Sequence, residues 1–297
     1  MELVFVINFG TKNRYKPIKS FLKLIRWKNL VIVAVTQYMV RIFLVFNLPF
    51  HWKEERHFHL LVFTTVLIAA AGYIINDYFD VKIDRINKPH RVWIGKTISR
   101  RNALLTHQFF SGAGVVLALP LGWKAVLINM LSVGLLWFYA SGFKKKPFIG
   151  NFVVAFLTAL VIAEIALIYA PGNRLIYMYA VFAFFINLIR EIIKDMEDIR
   201  GDEHHGAKTL PILFGIHKTK NLLYFLMAAL LVSMFFFMYK VVDVRIRLFS
   251  GILLTLWAIL LVFIIRADRK AHFSRLSDLC KWIILAGLLS VMLFRLG

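Results

Sequence analysis

Negative charge is what this chain has least of. Only 16 Asp and Glu stand against 37 Lys and Arg, giving a formal net charge of +21 over 297 residues. Such a balance suggests nucleic acid, but the hydropathy argues otherwise. Hydrophobic residues make up 60% of the chain and mean hydropathy is +0.71, far above a soluble domain. Cysteine is nearly absent, and Cys280 alone excludes an intramolecular disulfide. There is no low-complexity tract, no soluble second domain and no cleavable-signal pattern at the start.

What is present is apolar length. Stretches long enough to span a bilayer cover approximately 29–50, 58–79, 103–121, 123–141, 148–170, 174–193, 221–240, 246–265 and 279–296. The fold class expected is therefore all-α: a polytopic membrane protein of about nine transmembrane helices. Residues 1–28 read as a basic cytoplasmic arm and 29–297 as one transmembrane domain. With the N-terminus inside, the inward segments carry 26 basic residues and the outward segments eight. This is the positive-inside pattern. The basic excess then reflects topology and contact with anionic lipid in the cell membrane, not nucleic acid.

The scarce acids are concentrated. Asn76-Asp77-Tyr78-Phe79-Asp80-Val81-Lys82-Ile83-Asp84 and Lys194-Asp195-Met196-Glu197-Asp198-Ile199-Arg200-Gly201-Asp202 both place Asp at i, i+3 and i+7. At roughly 100° per helical residue, each set falls within about 60° of one face. Each follows a long apolar run on the predicted cytoplasmic side. Carboxylates at a membrane helix end are costly unless they meet metal, cations or water. Hard oxygen ligands suit Mg²⁺, which in turn binds substrate phosphates. The clusters are 118 residues apart, which marks a weak duplication: two similar four-helix halves plus one added helix, with a site between the halves.

The residues around the acids resemble the UbiA-type intramembrane prenyltransferases. That family's N-D-x-x-D-x-x-x-D motif matches Asn76, Asp77, Asp80 and Asp84, and its D-x-x-D-x-x-G-D motif matches Asp195, Asp198, Gly201 and Asp202. The resemblance implies Mg²⁺-dependent transfer of a prenyl group from a polyprenyl diphosphate. Asn76, Asp80 and Asp84 would hold one Mg²⁺, with Asp77 supporting, and Asp195, Asp198 and Asp202 the other. Lys88 and Arg91, in the loop after the first motif, match basic positions that reach the diphosphate, and Lys194 joins them. Here Val92-Trp93-Ile94-Gly95 replaces the usual Pro and Ser-Gly of that loop. Arg26 and Asn29 resemble the family's R-P-x-N entry, with Trp27 in place of Pro, and the resemblance implies that both face the headgroup site and bind substrate.

The stretch Arg190-Glu191-Ile192-Ile193-Lys194-Asp195 looks like the branch of the family that makes archaeal-type ether lipids. Members with aromatic acceptors often carry Tyr where Arg190 stands. The implied donor is geranylgeranyl diphosphate and the implied acceptor geranylgeranylglyceryl phosphate. Its phosphate calls for one more fixed cation, and Arg190 is expected to supply it, the alternative being that Arg190 pairs with Glu191 or a lipid headgroup. Prenylation of an aromatic acceptor in quinone biosynthesis is the alternative within the family, and a divalent-cation carrier the alternative outside it. Tyr73, Phe79, Trp137, Tyr139 and Tyr169 are candidate faces for an allyl cation. Arg41 and Glu164, two charges at similar depth within spans, are expected to pair.

Overall fold

The computed structural model describes residues 15–45, 50–87, 92–204, 206–240 and 244–294. Its helices are α1 (Tyr15–Leu24), α2 (Trp27–Leu44), α3 (Arg56–Asn87), α4 (Arg100–Val116), α5 (Trp123–Ser141), α6 (Ile149–Tyr169), α7 (Arg174–His204), α8 (Leu210–Lys240), α9 (Val244–Arg266) and α10 (Lys270–Ser290). In their described parts the expected spans map in order onto α2–α10, while residues 46–49 of the first and 295–296 of the last lie outside the described residues. Among the described residues, eight helices are long and apolar enough to cross a membrane, and Ser250–Arg266 within α9 is a shorter apolar helix. α8 contains a break at Gly215, whose φ of 76° suits a residue without Cβ.

Besides α8, which is broken at Gly215, two helices are much longer than a bilayer requires. α3 has 32 residues and α7 has 31, so each reaches about 46–48 Å, against a hydrocarbon core of about 30 Å. Asp77 lies 21 residues beyond Arg56 and Asp195 lies 21 beyond Arg174. Both first aspartates therefore sit on the same rung, about 32 Å from the helix start. By length, that rung is about as far from the helix start as a hydrocarbon core is thick.

The duplication extends to the preceding helices. α2 and α6 each open directly after a non-glycine residue with positive φ, Arg26 (50°) and Phe148 (64°). These are the two such residues among those described. Asn29 and Asn151 then occupy the third position of α2 and α6. α3 packs on α2, α4 and α5, and α7 on α6, α8 and α10. The helix outside the repeat, α10, is thus central: Phe273, Leu276, Cys280 and Ile283 join the large core built by α7 and α8.

Arg41 and Glu164 do not pair. Arg41 is buried and forms its ion pair with Glu55, in the turn just before α3. Glu164 instead accepts hydrogen bonds from Gln37 and from Thr65 Oγ1 (2.8 Å). Equal depth was the whole argument for the pair. It ignored azimuth around the helices and a nearer carboxylate offered by the turn. Removing one member of a buried pair strands the other charge. A thermal-melt cycle in detergent is expected to give coupling on the order of 1–3 kcal/mol between Arg41→Gln and Glu55→Gln. Arg41→Gln and Glu164→Gln are expected to be additive.

Candidate active site

The six aspartates of the two motifs are all half-buried at one end of the bundle. Like charges so close must be separated or neutralised, and each motif shows how. Asp77 accepts from the Arg26 guanidinium at 3.0 Å. That guanidinium also lies over the Tyr73 ring, 4.8 Å from its centroid. Asn29 Nδ2 donates to the Tyr73 hydroxyl at 3.2 Å. Asp80 forms an ion pair with Lys144 and accepts from Asn76 Nδ2 at 3.1 Å. Asp195 accepts from Asn151 Nδ2 at 2.8 Å. The left-handed residue before α2 therefore aims a side chain at α3, and the third residue of α2 or α6 reaches the long helix beside it.

Tyr139, near the end of α5, is close enough to Glu191, Asp195, Asp80 and Arg26 for their charges to act on it. The two motifs thus face a common space. A second link closes that end: Lys208 N donates to Lys145 O at 2.8 Å, tying the segment after α7 to the turn after α5. The stretch after the first motif returns to the same place. Val92 and Ile94 are buried with Leu24, Ile74 and Val81, and with Trp93 they line a small cleft against Asp77, Val81 and Asp84. The unusual Val-Trp-Ile-Gly sequence supplies this apolar anchor.

The other expected residues are placed as follows. Arg190 pairs with its neighbour Glu191 at 2.6 Å, and its Nε is buried without a partner. Lys194 is exposed beside Asp195. Asp198 and Asp202 continue the face of Asp195 on α7, and Asp84 continues that of Asp77 on α3. Lys88 and Arg91 lie outside the described residues. Of the aromatic candidates, Tyr73 and Tyr139 are at the site. Phe79 and Trp137 pack edge to face on the exposed surface. Tyr169 packs on Phe58, near the start of α3, far from the aspartates.

The chemistry of this donor set fits a hard divalent cation. Among the described residues, however, no three of His, Cys, Asp and Glu stand close enough together to hold one ion. Lys144 occupies on Asp80 the place a cation would take. A shared ion therefore requires Asp80 and Asp195 to exchange their present partners.

Sequence reasoning missed Lys144 and Asn151. Asn151 lies 122 residues beyond Asn29, the offset that also separates Arg26 from Phe148, but the motifs are 118 apart, so the match shows only once the helix starts are known. Lys144 lies in a basic run that topology alone had explained.

Comparison with known proteins places the chain among relatives over nearly its whole length. The model of the UbiA prenyltransferase family matches residues 32–285. A digeranylgeranylglyceryl phosphate synthase of Sulfurisphaera tokodaii is 32% identical over 277 residues, covering 91% of this chain and 97% of that protein. One of Thermococcus gammatolerans is 38% identical over 220 residues, 73% of this chain and 79% of its own. A solved structure of a digeranylgeranylglyceryl phosphate synthase in membranes superposes with TM-score 0.74 at 27% identity, over 93% of this chain and 98% of that one. The structure of a UbiA homologue from Archaeoglobus fulgidus, bound to GPP and Mg²⁺, has TM-score 0.63 at 18% identity, over 92% and 99%.

The turn that carries Lys144 rests on Gly150. A Cβ there would meet Phe143 O at 2.8 Å and Lys144 Cα at 2.9 Å, both backbone atoms. Gly150→Ala is expected to cost about 1–3 kcal/mol. Gly134→Ala, on an open face of α5, is expected to be neutral or stabilising by up to about 1 kcal/mol. Denaturation of both variants in detergent checks this.

Proposed function

We propose that this chain, which belongs to the UbiA prenyltransferase family, transfers a geranylgeranyl group from geranylgeranyl diphosphate to geranylgeranylglyceryl phosphate. The observation that carries this reading is the identity with digeranylgeranylglyceryl phosphate synthases across nearly the full length of both chains. The protein is a multi-pass membrane protein. On our reading the site opens on the cytoplasmic face, where the basic loops lie.

The roles follow from charge and reach. Asn76, Asp80 and Asp84, with Asp77 beside them, would hold one Mg²⁺, and Asp195, Asp198 and Asp202 a second. When bound, these ions stabilise the negative charge that develops on the diphosphate. Arg26, Lys144 and Lys194 bring fixed positive charge to the same space, and Lys88 and Arg91 are proposed to add theirs. As the C1–O bond of the donor breaks, its electron pair leaves with the diphosphate. The acceptor hydroxyl oxygen bonds to C1, and its proton passes through water to one of the carboxylates. Tyr73 and Tyr139 present aromatic faces beside the carboxylates, where a cationic C1 is favoured. Asn29 and Arg26 hold Tyr73 in place, and Asn151 holds Asp195.

Arg190 is assigned to the acceptor phosphate. Its buried Nε has no partner, which costs about 1–3 kcal/mol unless a ligand fills the place. Its pair with Glu191 leaves this donor free.

The test is a transfer assay on purified protein with Mg²⁺ and radiolabelled geranylgeranyl diphosphate. Geranylgeranylglyceryl phosphate and 4-hydroxybenzoate are offered separately. Label is expected on the glyceryl phosphate only; label on the aromatic acid alone would contradict the acceptor assignment. Asp80→Ala and Asp198→Ala are each expected to lower kcat/KM by at least about 10²-fold, and Asn151→Ala by about 10–100-fold. Arg190→Tyr is expected to raise the acceptor KM about 10–100-fold and leave the donor KM unchanged. An unchanged acceptor KM rejects its role.

A further inference from the structure

Helix α1 is more than a tether. It carries no acidic residue, and its described side chains divide into three stripes. Ser20 and Leu24 are buried and Phe21 is half-buried. These face the bundle, where Leu24 and Phe21 pack with Ile74, Val81, Ile94 and Ala103, and Phe21 meets Phe110 edge to face. Ile18 and Leu22, four residues apart, form a second stripe and are 58% and 41% exposed. Lys19 and Lys23, also four apart, form a third and are exposed. Lys23 lies over the Trp93 ring at 5.1 Å. Just beyond the helix, Trp27 is 46% exposed and Lys28 is exposed.

The level of α1 is set by what it packs on. Ile74 and Val81 lie 18 and 25 residues along α3, about 27–38 Å from its start, which brackets the edge of the hydrocarbon. An apolar stripe and a lysine stripe side by side, at that level and flanked by tryptophan, form the pattern of a helix lying in a membrane surface.

We propose that α1 docks on an anionic lipid surface, with Ile18 and Leu22 in the acyl boundary and Lys19, Lys23 and Lys28 at the headgroups. The charge complementarity is one-sided, since basic groups line the helix and acids are absent from it. Docking has a consequence for the site: α1 ends two residues before Arg26, whose guanidinium holds Asp77. The proposal is independent of which acceptor the enzyme uses.

The experiment places a nitroxide on the full-length protein through Leu22→Cys and, separately, Ile18→Cys. The native Cys280 is buried. The protein is reconstituted in vesicles of neutral lipid or of neutral lipid with a third phosphatidylglycerol. Collisions with oxygen, which concentrates in lipid, are compared with those of a water-soluble nickel chelate. With the anionic lipid, both labels are expected to favour oxygen. Lys19→Gln is expected to lower the lipid-seated to water-exposed ratio about fivefold, the scale of about 1 kcal/mol per lysine at an anionic surface. High salt is expected to lower it as well. Labels that favour the nickel chelate in both lipids would overturn the proposal. Protection from both reagents would mean that protein covers the stripe, and would overturn it equally.

Discussion

Aspartates that must serve a membrane-borne reaction have to stand where the hydrocarbon stops, because a carboxylate deeper in the bilayer lacks water and one farther out cannot meet a lipid tail held in the membrane. The bundle satisfies this with length. α3 and α7 each run 21 residues before their first aspartate, about the length that a 30 Å hydrocarbon core takes up, and on the proposed reading the motifs begin at its edge. Crowding so many carboxylates in one place creates repulsion. Arg26, Lys144, Asn76 and Asn151 answer it with charges and donors aimed at Asp77, Asp80 and Asp195.

The two halves solve the problem with the same local device and different chemistry. A residue with positive φ precedes α2 and α6, and an asparagine follows at the third position. In the first half that residue is Arg26, left-handed with ψ 52°, which pairs with Asp77. In the second it is Phe148, with ψ −42°, which packs on the core. Four residues before the first aspartate stands Tyr73 on α3, and at the same place on α7 stands Glu191. Five before stand Gly72 and Arg190. A Cβ on Gly72 would meet Leu136 at 2.7 Å, so α5 packs closely there. α7 carries at the corresponding place a long cation. A duplicated frame has become asymmetric, which suits the proposed reading of a donor and a different acceptor at one site.

The parts of this account that were legible in the sequence are those governed by a period or a length. Apolar runs marked the helices, and the i, i+3, i+7 spacing marked the two carboxylate faces. Partnerships were less legible. The Arg41–Glu164 pair failed because depth is only one coordinate, and Glu55 in the turn before α3 is the carboxylate that Arg41 meets. Lys144 was hidden because a basic loop already had a topological explanation. Asn151 and Phe148 became visible only once the helix starts were known, since their likeness to Asn29 and Arg26 is one of backbone position. Tyr73 and Tyr139 separated from Phe79, Trp137 and Tyr169 only when the facing of each helix was in hand.

The central claim is that the two aspartate faces hold one diphosphate together through Mg²⁺. Binding of a non-cleavable thio-diphosphate analogue of the geranylgeranyl donor tests it most directly, with Asp80→Asn, Asp198→Asn and the double variant measured at fixed Mg²⁺. The account predicts that each single variant loses most of the Mg²⁺-dependent affinity and that the double loses little more, as groups acting as one unit do. Independent, additive losses, or binding left intact by either single variant, would contradict it.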